Sequence, residues 1–278
     1  MITDWLSILL WPFLISFLLV STHTFFGLHV LARGIIFVDL ALAQVSALGG
    51  IVALMIWGEE AEHYSFPLGL TFTFVAALFL TFLRRIDSKT TREVSIGCLY
   101  VFSMALGVVI LSKSPHGGEE LKALLNGNIL WITQQQIIRT SLISIIALFF
   151  LYKFRRKFYS LSFESSLKLP HQFLWEFAFF ILFALIISTA VQVVGVLMVF
   201  AYLILPAFAA SIIVKTFRNQ FILGWLLGVI TTTAGGIVSL LYDLPTGATI
   251  VTLLGLLPVI CFMLSMPFFK KNKISILN

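Results

Sequence analysis

The sequence predicts an all-α membrane protein whose helices cross the bilayer about eight or nine times. Of its 278 residues, 60% are hydrophobic and 11% are charged, and the mean hydropathy is +1.06. A soluble domain carries about 25% charged residues. The apolar runs are continuous and close to the ~20 residues that a helix needs to span a bilayer, whereas barrel strands would alternate over shorter segments. We therefore expect one transmembrane domain, residues 1–278.

Nine apolar runs have lengths suited to transmembrane helices, and polar or charged loops separate most of them. In chain order they cover residues 8–31, 35–57, 66–83, 94–112, 136–153, 173–190, 192–213, 221–241 and 247–268. The boundary between the sixth and seventh runs is marked only by a short QVV turn at 192–194. The count is therefore eight if these two runs form one helix, and nine if they form two.

The charged residues of the loops predict the orientation of the chain. Every second loop is basic and contains Arg33; Arg84, Arg85, Lys89 and Arg92; Lys153, Arg155, Arg156, Lys157 and Lys168; Lys215 and Arg218; or Lys270, Lys271 and Lys273. The other loops, at 58–63, 112–122, 192–194 and 242–247, are acidic or nearly neutral. Because Lys and Arg concentrate on the cytoplasmic side, we expect the N-terminus outside and the C-terminus inside. The basic loop 153–170 is expected to contain an interfacial helix.

Composition and missing motifs exclude several functions. The net charge of +6 is spread over loops, so the clustered basic face of a nucleic-acid-binding protein is absent. There is no GxxxxGK[ST], HExxH or GxSxG motif, so we expect neither ATP hydrolysis nor intramembrane hydrolase activity from this chain. Cys98 and Cys261 lie in apolar runs without a CxxC pair, which predicts two buried, reduced cysteines. The segment MITDWLS lacks a basic signal region, so the first apolar run is expected to be retained.

The segment 193–220, VVGVLMVFAYLILPAFAASIIVKTFRNQ, combines three features. A charge-free run reaches a proline, passes through small residues and ends in two cations: Pro206, Ala207, Ala209, Ala210, Lys215 and Arg218. Proline normally bends or ends a helix, small residues allow close approach of another backbone, and the cations predict a cytoplasmic end. The pattern predicts a transmembrane helix that delivers a short, bent segment to the cytoplasm.

This segment also resembles the signature of the permease subunits of bacterial ABC importers for zinc, manganese and iron. Four further segments are similar to the same family in the same order: RGIIFVDLALAQVSALGG at 33–50, REVSIGCLYVFSMALG at 92–107, LLNGNIL at 124–130 and DLPTGATIV at 243–251. The resemblance covers most of the chain. It implies the ABC importer permease fold and a multi-pass location in the bacterial inner membrane.

The resemblance also implies partners and a cargo. It implies a homodimer whose two copies enclose an ion pathway, a cytoplasmic ABC ATPase that binds the ATP, and a periplasmic or lipid-anchored metal-binding protein outside. A divalent metal ion would be transported, and no cofactor would be permanently bound. The resemblance further implies that residues 206–220 couple the permease to the ATPase. This coupling segment contains Pro206, Ala207, Ala210, Lys215 and Arg218.

Asp39 is a carboxylate near the start of the second apolar run. At about 100° per residue it shares a helical face with Ala43, Ala47 and Gly50, and this small face is expected to point towards other helices. A charged group inside a bilayer costs a few kcal/mol, so it raises a functional hypothesis. Asp39 is either a hard oxygen ligand on a cation route or a carboxylate that interacts favourably with the helix dipole. The sequence leaves both interpretations open.

Gln44, His23 and His29 are further candidates for the metal pathway. Many members of the family carry an aspartate and, four residues later, a histidine in the second helix. Aligned on LAQVSALG, Gln44 takes the position of the histidine and lies about 140° around the helix from Asp39, so the familiar metal pair is absent or rebuilt. His23 and His29 are about 120° apart on the first helix. Either is expected to approach Asp39 or Gln44 across the tight turn, or to form a hydrogen bond between helices.

Asp243 ends a polar face that includes Thr232, Gly236 and Ser239. It is predicted either to attract cations at the outer mouth of the pathway or to form a turn with the following Pro245.

The sequence is compatible with three alternative functions. A secondary transporter driven by an ion gradient would carry paired discontinuous helices and acidic residues at mid-membrane, and only Asp39 approaches that description. An intramembrane enzyme or receptor-like scaffold is disfavoured by the missing catalytic residues. An ABC permease for a metal chelate has a similar topology, but the DLPTG and LLNGNIL segments resemble the metal-ion branch.

Overall fold

The protein is a bundle of α-helices joined by short loops. A computed structural model describes residues 2–83, 86, 88–127, 132–163 and 170–274. The helices are α1 (Ile2–Arg33), α2 (Val38–Trp57), α3 (Ala61–Leu83), α4 (Lys89–Leu111), α5 (Gly117–Asn126), α6 (Gln134–Lys153), α7 (Arg155–Phe163), α8 (Gln172–Ile213), α9 (Phe217–Tyr242) and α10 (Thr246–Ile274). A single 3₁₀ turn, Gly58–Glu60, precedes α3. The described residues contain no β-strand, which confirms the predicted all-α fold.

Eight of these helices are long and apolar enough to cross a membrane. They are α1 from Leu10 onwards, α2, α3, α4, α6, α8, α9 and α10. The other two helices are short: α5 has 10 residues and α7 has 9. Helix α7 lies in the basic loop where the sequence predicts an interfacial helix. Its buried residues include Phe158 and Leu161, whereas Arg155 and Arg156 are exposed.

Helix α8 folds back on itself at Gly195. Its 42 residues would extend about 63 Å as one straight helix, twice the ~30 Å hydrocarbon thickness of a bilayer. At Gly195 the backbone leaves the helical region, with φ 76° and ψ 167°. A positive φ of this kind is readily adopted only by glycine.

Contacts with α1 demonstrate the reversal. Phe26 stacks on Phe183 with ring centroids 4.9 Å apart, while a Cβ added at the next residue, Gly27, would collide with the carbonyl oxygen of Leu203. A straight helix would separate positions 183 and 203 by about 30 Å. Segments 172–194 and 196–213 therefore lie side by side and correspond to the sixth and seventh predicted runs. The break lies at Gly195, just after the QVV segment and not within it.

The LLNGNIL segment packs onto this break through Gly127. Helix α5 ends at Gly127, whose φ is 63°. A Cβ there would collide with the backbone of Val194 and Gly195, so only glycine allows the two chain segments to approach this closely. Residues 128–130 of the segment lie outside the described residues.

Pro206 does not end helix α8. Helix α8 continues through Pro206 to Ile213 and ends at Val214, whose backbone is extended (φ −125°, ψ 149°). The proline packs against α9, where a Cβ added at Gly224 would lie 2.9 Å from the Pro206 carbonyl oxygen and one at Gly228 would lie 3.2 Å from its Cγ. Two glycines four residues apart on α9 thus allow Pro206 to pack closely against that helix.

Helix α8 forms the centre of the bundle. It packs against α1, α2, α3, α9 and α10, and α1 and α2 each pack on α8 rather than on each other. The outer faces of α4, α6 and α10 carry exposed apolar side chains such as Val101, Ile145 and Leu264, as expected for surfaces in contact with lipid. Cys261 is buried as predicted, but Cys98 lies on the exposed face of α4, so the prediction that both cysteines are buried is wrong for Cys98. Both are free thiols.

Candidate functional site

A buried network joins α1, α7 and α8 at the end of the bundle where Arg33 lies. The Arg33 Nη1 donates to Glu176 Oε2 at 2.7 Å, and the side chains of Arg33 and Glu176 are only 1% and 5% exposed. The Arg33 Nε donates to Ser162 Oγ at 2.8 Å, and His29 Nδ1 lies 2.8 Å from the same oxygen. Sequence reasoning treated Arg33 only as a loop charge and missed Glu176 and Ser162. An acidic residue within an apolar run was the available signal for Glu176.

His29 lies within a cluster of aromatic rings. Its ring centroid is 4.7 Å from that of Phe25, 5.3 Å from Phe217, 5.6 Å from Phe163 and 5.9 Å from Phe179. Because its Nδ1 lies at hydrogen-bond distance from Ser162 of α7, His29 links two helices, in agreement with the predicted hydrogen bond between helices.

His23 occupies a separate environment in the middle of α1. Its Nδ1 donates to the Leu19 carbonyl oxygen at 2.8 Å, so the proton resides on Nδ1, because a carbonyl only accepts. The ring meets Tyr202 edge-on at 6.5 Å, and Nε2 is buried with no hydrogen-bond partner among the described residues. The Tyr202 hydroxyl donates to Ser16 Oγ at 3.3 Å.

Asp39 is fully buried in the first turn of α2. Its exposed fraction is 0%, and neither carboxylate oxygen has a hydrogen-bond partner within the described residues. The backbone N–H groups of Asp39 and Leu40 nevertheless lie close enough to interact with the carboxylate, and the side chain lies where the helix dipole favours a negative charge. Gln44 is 7% exposed on the same helix.

The expected approach of His23 or His29 to α2 does not occur. Helix α8 separates α1 from α2, and the contacts of the two histidines are with α1, α7, α8 and α9. The reason is that the tight turn brings only the adjoining ends of α1 and α2 together, whereas packing against α8 determines which faces of the two helices are in contact with other helices. Within the described residues, no group of three or more His, Cys, Asp or Glu side chains could hold a metal ion.

Asp243 terminates α9 in a turn. Its backbone is left-handed, with φ 50° and ψ 45°, a conformation that aspartate tolerates better than most residues. Around it, the Leu244 N–H donates to the Ser239 carbonyl oxygen at 2.9 Å, and Ser239 Oγ lies 2.6 Å from Thr246 Oγ1. The side chain of Asp243 is exposed. These contacts favour the turn interpretation.

The predicted coupling segment divides into a buried and an exposed part. Pro206, Ala207 and Ala210 are buried in α8, whereas Lys215 and Arg218 are exposed. The loop between them, residues 214–216, is held by Gln220, whose Nε2 donates to the Val214 carbonyl oxygen at 3.0 Å. The exposed charged side chains of the segment therefore lie at the tight turn between α8 and α9.

A polar cavity of about 460 Å³ lies at the opposite end of the bundle. Its lining includes His63, Thr133, Gln136, Arg139 and Gln192. The Arg139 Nη2 donates to Gln192 Oε1 at 2.6 Å, which fixes α6 to the end of the first half of α8. The sequence did not reveal this cavity because its residues come from α3, α5, the beginning of α6 and the middle of α8, which are distant along the chain.

Comparison with solved structures defines the class of the fold. The chain is similar to PsaBC from Streptococcus pneumoniae in complex with a Fab, with a TM-score of 0.76 and 19% identity over 94% of this chain and 95% of that chain. It is also similar to an inward-facing conformation of a putative metal-chelate type ABC transporter, with a TM-score of 0.64 and 14% identity over 93% of this chain and 83% of that chain. The fold is that of an ABC transporter permease.

The family follows from the sequence. Residues 6–265 match the ABC 3 transport family, and the chain belongs to that family. Among its relatives is a manganese transport system membrane protein, MntC, of Halalkalibacterium halodurans, which is 26% identical over 244 residues, covering 86% of this chain and 81% of the relative.

Proposed function

We propose that this chain is the transmembrane permease subunit of an ATP-driven importer that carries manganese, iron or zinc across the bacterial cytoplasmic membrane. The observation that carries the proposal is membership of the ABC 3 transport family over residues 6–265. The manganese transport relative supports a metal cargo. ATP is hydrolysed on a separate cytoplasmic ABC ATPase, and the metal ion is cargo rather than a resident cofactor.

In this proposal Asp39 lines the cation route. An ionised carboxylate that is fully buried away from water is unfavourable, and a passing cation would relieve that cost. Carboxylate oxygens also suit manganese well. Among the other candidates, His23 retains an unpartnered Nε2, whereas His29 is engaged with Ser162, Gln44 faces elsewhere on α2, and Asp243 belongs to a turn. Asp39 would act at the cytoplasmic exit, because α2 begins at the Arg33 end of the bundle.

The turn between α8 and α9 is the proposed contact with the ATPase. Lys215 and Arg218 are exposed there, and Ala207 in the preceding helix packs against Gly27 of α1. A push on the turn would therefore move α8 relative to α1 and α9. Two permease copies would enclose the pathway, and an outer metal-binding protein would deliver the ion at the end that contains the polar cavity. The N-terminus would then lie outside and the C-terminus inside.

A crosslinking experiment tests this contact and the orientation together. In a Cys98→Ser background, Lys215→Cys and Arg218→Cys are expected to crosslink to the co-expressed ATPase in intact cells. Asp243→Cys is the matched control, since it is also exposed but lies at the opposite end of α9, and no crosslink is expected from it. Capture of the ATPase by position 243, or by none of the three while the complex still co-purifies, would refute the assigned contact.

A further inference from the structure

We propose that the Arg33 end of the bundle binds an acidic phospholipid in a cavity formed by α1, α7 and α9. The cavity has a volume of about 390 Å³ and is lined by Phe25, Arg155, Arg156, Tyr159 and Phe217. This size falls within the range of small-molecule sites. The inference concerns membrane binding and does not depend on the proposed transport activity.

The lining matches an amphipathic anion. Arg155 and Arg156 supply two guanidinium groups, which recognise phosphate through paired hydrogen bonds. Phe25, Tyr159 and Phe217 supply three aromatic rings, and the described lining contains no carboxylate. A free phosphate ion would bind the arginines but would not contact the aromatic rings. A phospholipid would place its phosphate on the arginines and its first acyl carbons on the rings.

The position of the cavity fits the membrane surface. Arg155 and Arg156 begin α7 directly after α6 ends at Lys153, and both side chains are exposed. Phe25 lies eight residues before the end of α1, which is about 12 Å deeper along the helix. The two arginines therefore lie at the membrane surface, and Phe25 extends the cavity towards the acyl chains. Basic pockets between transmembrane helices bind acidic lipid headgroups in this way.

The cavity adjoins the buried network and the exposed turn. Phe25 and Phe217 also contact the ring of His29, and α7 is fixed to Arg33 through Ser162. Phe217 is the first residue of α9, directly after the turn at 214–216. A lipid seated in the cavity would therefore hold α7 against the beginning of α9.

Lipid retention by the purified full-length chain tests the proposal. Native mass spectrometry would measure binding of phosphatidylglycerol and of phosphatidylcholine to the wild type and to Arg155→Gln/Arg156→Gln. We expect the double variant to bind phosphatidylglycerol about 25-fold more weakly, since each arginine near an acidic lipid surface contributes about fivefold. Each single variant is expected to show the smaller, fivefold loss. Binding of phosphatidylcholine should change little.

Lys157→Gln is the matched control. Lys157 carries the same charge on the same helix, but its Nζ lies 5.9 Å from the Trp175 ring centroid and it does not line the cavity. Retention close to that of the wild type supports the proposal, whereas a loss equal to that of an arginine variant would indicate general charge attraction and overturn it. Full competition by excess inorganic phosphate would identify a free-anion site instead. Loss of ATPase association in the arginine variants with unchanged lipid retention would assign the face to the ATPase.

Discussion

Replacing Glu176 with alanine is expected to lower the free energy of unfolding by about 3–5 kcal/mol, the range for breaking a buried ion pair by removing one partner. The change removes the Glu176 carboxylate from the Arg33 guanidinium, which is 1% exposed. Arg33 Cζ lies 3.8 Å from the Phe179 ring centroid, and this close packing keeps the charge from turning towards water. Thermal unfolding of the detergent-solubilised protein, monitored by intrinsic fluorescence, measures the loss.

Glu119→Ala is the matched control for Glu176→Ala. The Glu119 side chain is 86% exposed, so its removal is expected to change stability by less than about 0.5 kcal/mol. The double variant Arg33→Leu/Glu176→Leu should be more stable than Glu176→Ala, because apolar side chains can replace a buried pair with little loss. Equal destabilisation by Glu176→Ala and Glu119→Ala would show that the pair does not support the bundle.

Asp39→Asn is expected to reduce the initial rate of metal uptake at least tenfold, by analogy with the 10–100-fold losses seen when groups that support a metal site are changed. The substitution keeps the shape of the side chain but removes the negative charge that would meet the cation. Uptake by proteoliposomes containing the permease and its ATPase measures the effect, and co-purification of the ATPase measures assembly.

Asp243→Asn makes the same chemical change in an exposed turn and serves as the control. Asparagine also tolerates the left-handed backbone of position 243, so uptake should stay within about twofold of the wild type, since no buried group loses a partner. If Asp39→Asn lowers assembly and uptake to the same extent, the carboxylate acts only at the helix start and does not line the route.

The helices could be predicted from the sequence because each apolar run has the length that a bilayer demands. The ends of these runs carry charged or turn-forming residues, which is why α2 and α6 begin and end close to the predicted positions, whereas α3 ends as predicted but begins earlier, at Ala61. The two halves of α8 were also anticipated. The break was misplaced because Gly195 lies within a uniformly apolar stretch, where the pattern of side chains does not reveal a positive φ.

Long-range packing could not be predicted in the same way. Pro206 was expected to end or bend α8, but the helix continues through it, and the glycines that pack against it lie on α9, at positions 224 and 228. The sequence predicted that Asp39 is a buried carboxylate. It did not predict that Asp39 lies apart from the histidines, since this separation results from the position of α8 between α1 and α2. The Arg33–Glu176 pair joins residues 143 positions apart, and nothing local to either residue identifies its partner.

The central claim, that this chain conducts a metal ion under the control of a separate ATPase, is tested most directly by uptake into proteoliposomes. The purified permease is reconstituted with its ATPase, and uptake of manganese, ferrous iron and zinc is measured with and without ATP. The account predicts uptake of at least one of these ions that requires ATP and stops when the ATPase can no longer hydrolyse it. Uptake that is indifferent to ATP and follows an imposed proton gradient would contradict it.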